Sequence, residues 1–388
     1  MSITAPKGFR AAGVTAGLKA SGKPDLALVV NDGPARAAAA VFTSNRVAAA
    51  PVHWSREVVK DGRVDAVILN SGGANACTGP QGFQNTHTTA EKTAAALGVS
   101  ATDIFVCSTG LIGEQLPMDK IVAGIGAAAA GLSDDGGAAA AVAIMTTDSV
   151  SKQSLFTGAD AEGNPFIIGG MAKGAGMLAP GLATMLVVIT TDADVRPEML
   201  DVVLRDATRV TFDRADSDGC MSTNDTVVLL ASGASGVVPS AGEFGAGLTQ
   251  VCADLARQLI GDAEGASHDI AIRTFNAASE RDAEIVSRAV ARSNLFKAAI
   301  FGKDPNWGRV LSAVGTTDAA FEADALNVTM NGIQICRNGS IGDDRRLVDL
   351  EPREVLVEID LQAGNAEATI WTNDLTHDYV QENSAYSS

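Results

Sequence analysis

Short apolar runs punctuate the chain: LALVV (26–30), AVIL (66–69), IFVC (104–107), MLVVI (185–189), TVVLL (226–230) and VLVEIDL (355–361). Their length, β-branched content and flanking turn residues predict strands. Between them the period changes to that of a helix. In LTQVCADLARQLI, Leu248, Val251, Cys252, Leu255 and Leu259 fall on one face, and Gly261 stops the pattern. Residues 197–210 open on Pro197, a residue suited to the first helical position, and Met199, Val203, Ala207 and Val210 form a stripe. A third amphipathic helix is expected from Asp282 to about Phe296. The segment VAGIGAAAAGLSDDGGAAAAVA (122–143) is simple but apolar, and reads as helix–turn–helix. Strands interleaved with helices predict an α/β or α+β arrangement with layered sheets. The composition shifts near residues 276–300, which divides the chain into a main α/β domain over 1–275 and a C-terminal domain over 276–388.

Composition narrows the function classes. The chain has 388 residues, of which 46% are hydrophobic and only 4% aromatic, so its core must rely on close backbone packing through small residues. A net charge of −17 argues against nucleic acid or an anionic membrane as partner, since both repel an acidic surface. No apolar segment reaches the ~20 residues that span a bilayer, and MSITAPKGFRAAG lacks the apolar region of a secretory signal, so a cytoplasmic protein is expected. The five cysteines (Cys77, Cys107, Cys220, Cys252, Cys336) are dispersed and suggest reduced thiols. His53, His87, His268 and His377 form no metal-ligand pattern, and their scarcity makes a histidine-based dyad hard to place.

Four segments are candidates for chemistry. GLKASGKP (17–24) nearly matches a phosphate-binding loop, but Pro24 replaces the metal-binding hydroxyl and no strand precedes it. SGGANACTG (71–79) can form an anion-binding nest, or simply a glycine turn that packs closely. In CSTGLIGEQLP (107–117), a strand runs into Thr109 and Gly110. A hydroxyl beside an unobstructed N–H is what a developing oxyanion needs, although a plain strand-to-turn junction reads the same way. Cys107 has no cation near it in sequence and reads as a buried, inert thiol. Finally, GGMAKGAGMLAPGLA (169–183) ends at Thr184. Its glycines and Pro180 admit backbone geometries that ordinary residues resist. Thr184 is either the ordinary first residue of a strand or a nucleophile that attacks the peptide bond before it. In the second case, hydrolysis of the resulting ester leaves Thr184 as a new N-terminus. Its own α-amine then serves as base, and no histidine is needed.

KGAGMLAPGLATMLVVITTDA (173–193) resembles the self-cleaving segment of the ornithine acetyltransferases, also called glutamate N-acetyltransferases. The likeness extends to IMTTDS (144–149), CSTGLIGEQLP, SDGCMSTNDTVVLLASG (217–233), DAEGASH (262–268), FGKDPNWGRVLSAVG (301–315) and DLTHDYVQENSAYSS (374–388), in the same order. It implies an α/β fold of layered αββα type, shared with self-processing aminopeptidases, with a smaller C-terminal α/β domain whose tail returns to the active site. It also implies cleavage between Ala183 and Thr184 into chains 1–183 and 184–388, assembled as (αβ)2. Thr184 then corresponds to the nucleophile, and Thr109 and Gly110 to the oxyanion hole. Thr147, Lys173, Thr184, Glu264, Asn383 and Ser388 match substrate-binding positions. Lys173 suits the substrate α-carboxylate, with Asn383 as a neutral donor, and Glu264 suits the distal ammonium of ornithine. The expected partners are small amino acids, N-acetylornithine and glutamate, with no cofactor and no metal. Acetyl would pass from N-acetylornithine to glutamate through an ester on Thr184. No convincing site for the phosphates of acetyl-CoA is visible, which favours this recycling reaction alone and leaves acetyl-CoA-dependent synthesis of N-acetylglutamate open. An amidase or aminopeptidase with water as acceptor is the enzymatic alternative, and a non-catalytic amino-acid-binding protein the other.

Overall fold

The computed structural model describes residues 3–177 and 185–385, so the expectations placed on Ala183, Thr184 and Ser388 lie outside the described residues. The first stretch supplies β1 (Phe9–Val14), β2 (Leu26–Asn31), β3 (Ala37–Phe42), β4 (Ala66–Asn70) and β5 (Ile104–Ser108). With them come α1 (Ala50–Val58), α2 (Gly79–Leu97), α3 (Met118–Ala130) and α4 (Gly137–Ala143). The next supplies β6 (Lys152–Ala159), β7 (Pro165–Lys173), β8 (Leu186–Thr191) and β9 (Thr226–Ala231), with α5 (Pro197–Val210) and α6 (Ala241–Gly261). β1, β2, β4 and β5 form one sheet in that order. β3 crosses to edge a second, ordered β3-β9-β8-β7-β6.

Four layers follow from which strand positions are apolar. Leu28, Ile68 and Val106 point to one face of the first sheet and pack under Ala90 of α2 and Ile121 and Ile125 of α3. Their neighbours Val29, Leu69 and Phe105 point the other way and meet Met171, Val188 and Leu230 of the second sheet. The outer face of that second sheet, with Val187, Ile189 and Leu229, is covered by Leu200 and Leu204 of α5 and by Leu248, Val251 and Leu255 of α6. Strands covered on both faces must be apolar at every position, which is why the runs lack a polar alternation. The chain therefore has the αββα layering expected of it.

Two helices differ in detail from the expectation. In α5 the buried stripe is Leu200, Val203, Leu204 and Ala207, whereas Met199 and Val210 flank it. This set has the i, i+3, i+4, i+7 spacing of a single helix face. α6 begins at Ala241, well before Leu248, because Ser240 and Glu243 form a reciprocal cap there.

The remaining residues build a third sheet from β10 (Asp269–Ala277), β11 (Asn327–Met330), β12 (Ile333–Arg337), β13 (Ser340–Ile341), β14 (Glu354–Asp360) and β15 (Ala366–Asn373), ordered β13-β12-β11-β14-β10-β15. Its helices are α7 (Glu280–Ala291), α8 (Asn294–Phe301), α9 (Trp307–Val314) and the terminal α10 (His377–Ala385). Ile272, Val286, Val290, Phe296, Val310 and Val357 share one core. The single helix expected over 282–296 is two, because Ser293 accepts from Phe296 N and starts α8 afresh. β10 belongs wholly to this third sheet. After β15 the chain turns back towards α6. Gly265 has φ +62°, and a Cβ there would lie 2.2 Å from Tyr379 N, so only glycine lets α10 seat against the loop that follows α6. Thr376 fastens the approach by donating to Gly265 O at 2.6 Å.

Candidate active site

Thr109 and Gly110 stand just beyond β5 at the mouth of the two-sheet sandwich. The Thr109 N–H is used, donating to Asn70 O at 2.9 Å, and its carbonyl accepts from Gly73 N at 3.0 Å. The hydroxyl is differently placed: it is buried, and Lys173 Nζ approaches it at 3.5 Å. Gly110 has φ +130°, and an added Cβ would come 2.7 Å from Gly73 N, so a larger residue cannot occupy the position. Its own N–H has no hydrogen-bond partner among the described residues. Two adjacent donors therefore stand uncommitted or nearly so, which suits a group whose negative charge appears only in a transition state.

Lys173, the last residue of β7, is 1% exposed, so it is not the solvated surface charge that a lone lysine usually is. Burial pushes its pKa down, and Asp148 opposes the shift. Asp148 Oδ2 lies 3.9 Å from Lys173 Nζ. The same carboxylate accepts from Lys152 Nζ at 2.6 Å and from Gly174 N at 2.7 Å. Burial alone would raise the Asp148 carboxyl, but Lys173 and Lys152 together hold it at about 2. Lys152 is fully buried and bridges on to Asp262 at 2.6 Å. This chain of alternating charges locks β6, β7 and the end of α6 together under the site. Its acidic members were not among the expected site residues, although Asp148 sits within IMTTDS.

Glu264 follows α6, and its N–H donates to Ala175 O at 3.0 Å. A Cβ on Gly176 would lie 2.7 Å from Glu264 Oε2, so this carboxylate lies against the strand extension that carries Lys173. Glu264 and Thr147 line a cleft of about 460 Å³, with Asp262, Asp378 and Glu382 beside the single arginine Arg353. Such a surplus of acid suits the cationic end of a ligand. Asn383 lies on α10 but is exposed, and its amide donates to Tyr379 O at 3.0 Å, so it is placed on the helix that borders the cleft and not in the lining itself. The structure thus gathers Thr109, Gly110 and Lys173 at one point, with Glu264 and Thr147 on the adjoining cleft. A larger groove of about 680 Å³ runs along β3 and shares no residue with them.

The other sequence candidates resolve into packing. Leu18 N and Lys19 N both donate to Asp25 Oδ2, at 2.6 and 3.0 Å, so the backbone donors a phosphate would need are already engaged. In the 71–79 loop, Gly73 N and Ala74 N are spent on Thr109 O and Leu111 O, which makes it a close-packed turn supporting the segment that carries Thr109 and Gly110. Cys107 is buried, and burial raises its pKa, so it is held as the neutral thiol. Among the described residues no group of three or more histidine, cysteine or acidic side chains is arranged to hold a metal.

A hydroxyl and an N–H at a strand end, beside a buried lysine and an acidic cleft, make an arrangement that suits acyl transfer involving a charged amino acid. The sequence comparisons agree with that class. The ArgJ family model matches residues 10–388, and the chain belongs to the ArgJ family. The arginine biosynthesis bifunctional protein ArgJ of Streptomyces coelicolor is 66% identical over 388 residues, covering 100% of both chains. A crystal structure of arginine biosynthesis bifunctional protein argJ from Bacillus halodurans is 32% identical, with a TM-score of 0.50, over 51% of this chain and 98% of that one. A crystal structure of ornithine acetyltransferase complexed with ornithine from Mycobacterium tuberculosis is 53% identical over 48% of this chain and 96% of that one, with a TM-score of 0.43.

Proposed function

We propose that this chain is a self-cleaving acetyltransferase of arginine biosynthesis that moves acetyl from N-acetylornithine to glutamate. The observation that carries the reading is the uncommitted donor pair at Thr109 and Gly110 beside buried Lys173, in a chain related along its full length to ArgJ proteins. In the maturation step Thr184 Oγ attacks the Ala183 carbonyl, and water hydrolyses the ester to leave a carboxylate on Ala183 and an amine on Thr184. The match to the Bacillus halodurans chain supports this, because nearly all of that chain corresponds to half of this one, as expected for one piece of a cut protein.

In catalysis the Thr184 amine takes the hydroxyl proton as Oγ attacks the acetyl carbonyl. Thr109 Oγ and Gly110 N–H stabilise the oxyanion, and the proton passes to the departing ornithine amine. Glutamate's amine then attacks the ester, and the nucleophile is restored. Lys173 holds the α-carboxylate common to both substrates, and Glu264 with Thr147 takes the ammonium arm of the donor. Asn383, on the helix that borders the cleft, and Ser388 would reach the substrate from the tail only if Asn383 exchanges its hydrogen bond to Tyr379 O for one to the ligand. The name "bifunctional" borne by the relatives supports a second donor, acetyl-CoA, loading the same ester, and disfavours the recycling reaction alone. The same kinship disfavours water as the acceptor. The family resemblance supports a cytoplasmic (αβ)2 assembly, and no helix among the described residues is long and apolar enough to cross a membrane. Quantifying N-acetylglutamate formed against acetate released from N-acetylornithine tests the reading. Transfer predicts acetylglutamate in large excess, whereas acetate as the main product with glutamate present would make the protein a hydrolase.

A further inference from the structure

Glutamate sets the site a problem that N-acetylornithine does not. Its side chain ends in a carboxylate where the other ends in an ammonium, and the surroundings of Lys173 are already acidic. Asp148 lies at 3.9 Å, and Asp225 and Glu264 also act on the same ammonium. A further negative charge is costly there unless a second cation meets it. Two neighbouring cations are committed: Lys152 to Asp148 and Asp262, each at 2.6 Å, and Arg353 to Asp269 at 3.0 Å.

Lys19 is not committed in this way. It stands in the loop between β1 and β2, which buried Asp25 shapes by accepting from Ala16 N, Leu18 N and Lys19 N. The loop packs on the turn behind Gly110. An added Cβ on Gly72 would lie 2.2 Å from Leu18 Cβ, and one on Gly110 would lie 3.2 Å from Gly72 C. The half-buried Lys19 ammonium donates to Met145 O at 2.6 Å and to Pro24 O at 2.8 Å. Of its three N–H donors one is left, and no carboxylate lies within ion-pair distance of it among the described residues. Burial pushes its pKa down, Asp25 opposes the fall, and Lys173 adds to it.

The spacing suits a short diacid. Met145 O belongs to the peptide whose N–H, on Thr146, donates at 2.9 Å to the Asp148 oxygen that lies 3.9 Å from Lys173 Nζ. Through that peptide the Lys19 and Lys173 ammonium groups are at most about 12 Å apart. A glutamate hydrogen-bonded at both carboxylates spans roughly 10 Å.

We propose that Lys19 is a second anion-binding residue of the site, taking the side-chain carboxylate of the acceptor glutamate while Lys173 takes its α-carboxylate. The proposal rests on the transfer reading above. It divides the substrates by charge: the acidic cleft with Glu264 receives the ammonium arm, and Lys19 receives the carboxylate arm.

The test is Lys19→Gln in the full chain, with free glutamate and free glutamine compared as acceptors of acetyl from N-acetylornithine. The two acceptors differ only in replacing the side-chain carboxylate by an amide. The parent should prefer glutamate in kcat/KM, and the variant should lose at least about tenfold of that preference, the scale of one charge-assisted hydrogen bond. KM for N-acetylornithine should change by less than about threefold. Lys19→Arg keeps the charge and should retain most of the preference. Because both acceptors are measured on one preparation, their ratio does not depend on how much of a variant is folded. An unchanged ratio in Lys19→Gln would overturn the proposal, as would a parent indifferent to the two acceptors. An equal loss with both acceptors would overturn it too, leaving Lys19 only as a brace for the Met145 segment. A parent that transfers no acetyl to either acceptor is a distinguishable failure, because it removes the transfer reading first.

Discussion

Thr109→Val removes one hydroxyl and keeps the volume of the side chain. The residue is 2% exposed, and the contact its hydroxyl makes, to Lys173 Nζ at 3.5 Å, is long for a hydrogen bond. Its loss should therefore cost the resting protein less than about 1 kcal/mol. The transition state is another matter. An oxyanion donor in a water-poor site is worth about 2.7–4 kcal/mol, or about 100- to 1,000-fold in rate. With stability almost untouched, that whole factor should appear in kcat for acetyl transfer from N-acetylornithine to glutamate. KM should stay near the parent value, because the ground-state carbonyl carries little charge. Thr109→Ser keeps the hydroxyl and should recover most of the rate. If the valine variant turned over within about threefold of the parent, the oxyanion assignment would be wrong, since no donor of this type is so dispensable.

Two further outcomes follow from the charges around Lys173. Glu264→Gln should raise KM for N-acetylornithine by about tenfold or more, the value of one charge-assisted hydrogen bond, and change KM for glutamate much less; equal effects on both in steady-state assays would refute the division of roles. Asp148 supplies an acid-stability signature. Its native pKa of about 2 lies below its ordinary 3.8, so its contribution is fully present above pH 3.8 and is lost as pH falls towards 2. The size is about 2 kcal/mol at roughly 1.4 kcal/mol per unit. Urea unfolding across this range should show a steeper acid loss in the parent than in Asp148→Asn, and parallel curves would contradict the buried pairing.

The apolar runs that became β2, β4, β5, β8 and β9 were legible because strands buried on both faces are almost wholly apolar, and β14 was legible from the alternation of buried Val355, Val357 and Ile359 with more exposed neighbours. β3 was not legible. Its AAAAVF sequence favours a helix by propensity, and only pairing along the whole of β9 makes it a strand. The same limit applied to the site. Thr109 and Gly110 announce themselves as a hydroxyl and a glycine after a strand, and Lys173 through its family block. Asp148, Lys152 and Asp225 look in sequence like ordinary solvated charges, and their meaning appears only when strands distant in sequence bury them together. Position next to a buried apolar run was the one local signal: Asp225 directly precedes TVVLL.

The central claim is that Thr184 is both the point of cleavage and the carrier of the acetyl group. Intact-mass measurement of the purified protein, before and after N-acetylornithine without glutamate, tests both parts at once. The account predicts two chains, 1–183 and 184–388, with one acetyl group gained by the second and lost again when glutamate is added. A single uncut chain, or an acetyl group gained by chain 1–183 or by neither chain, would contradict it.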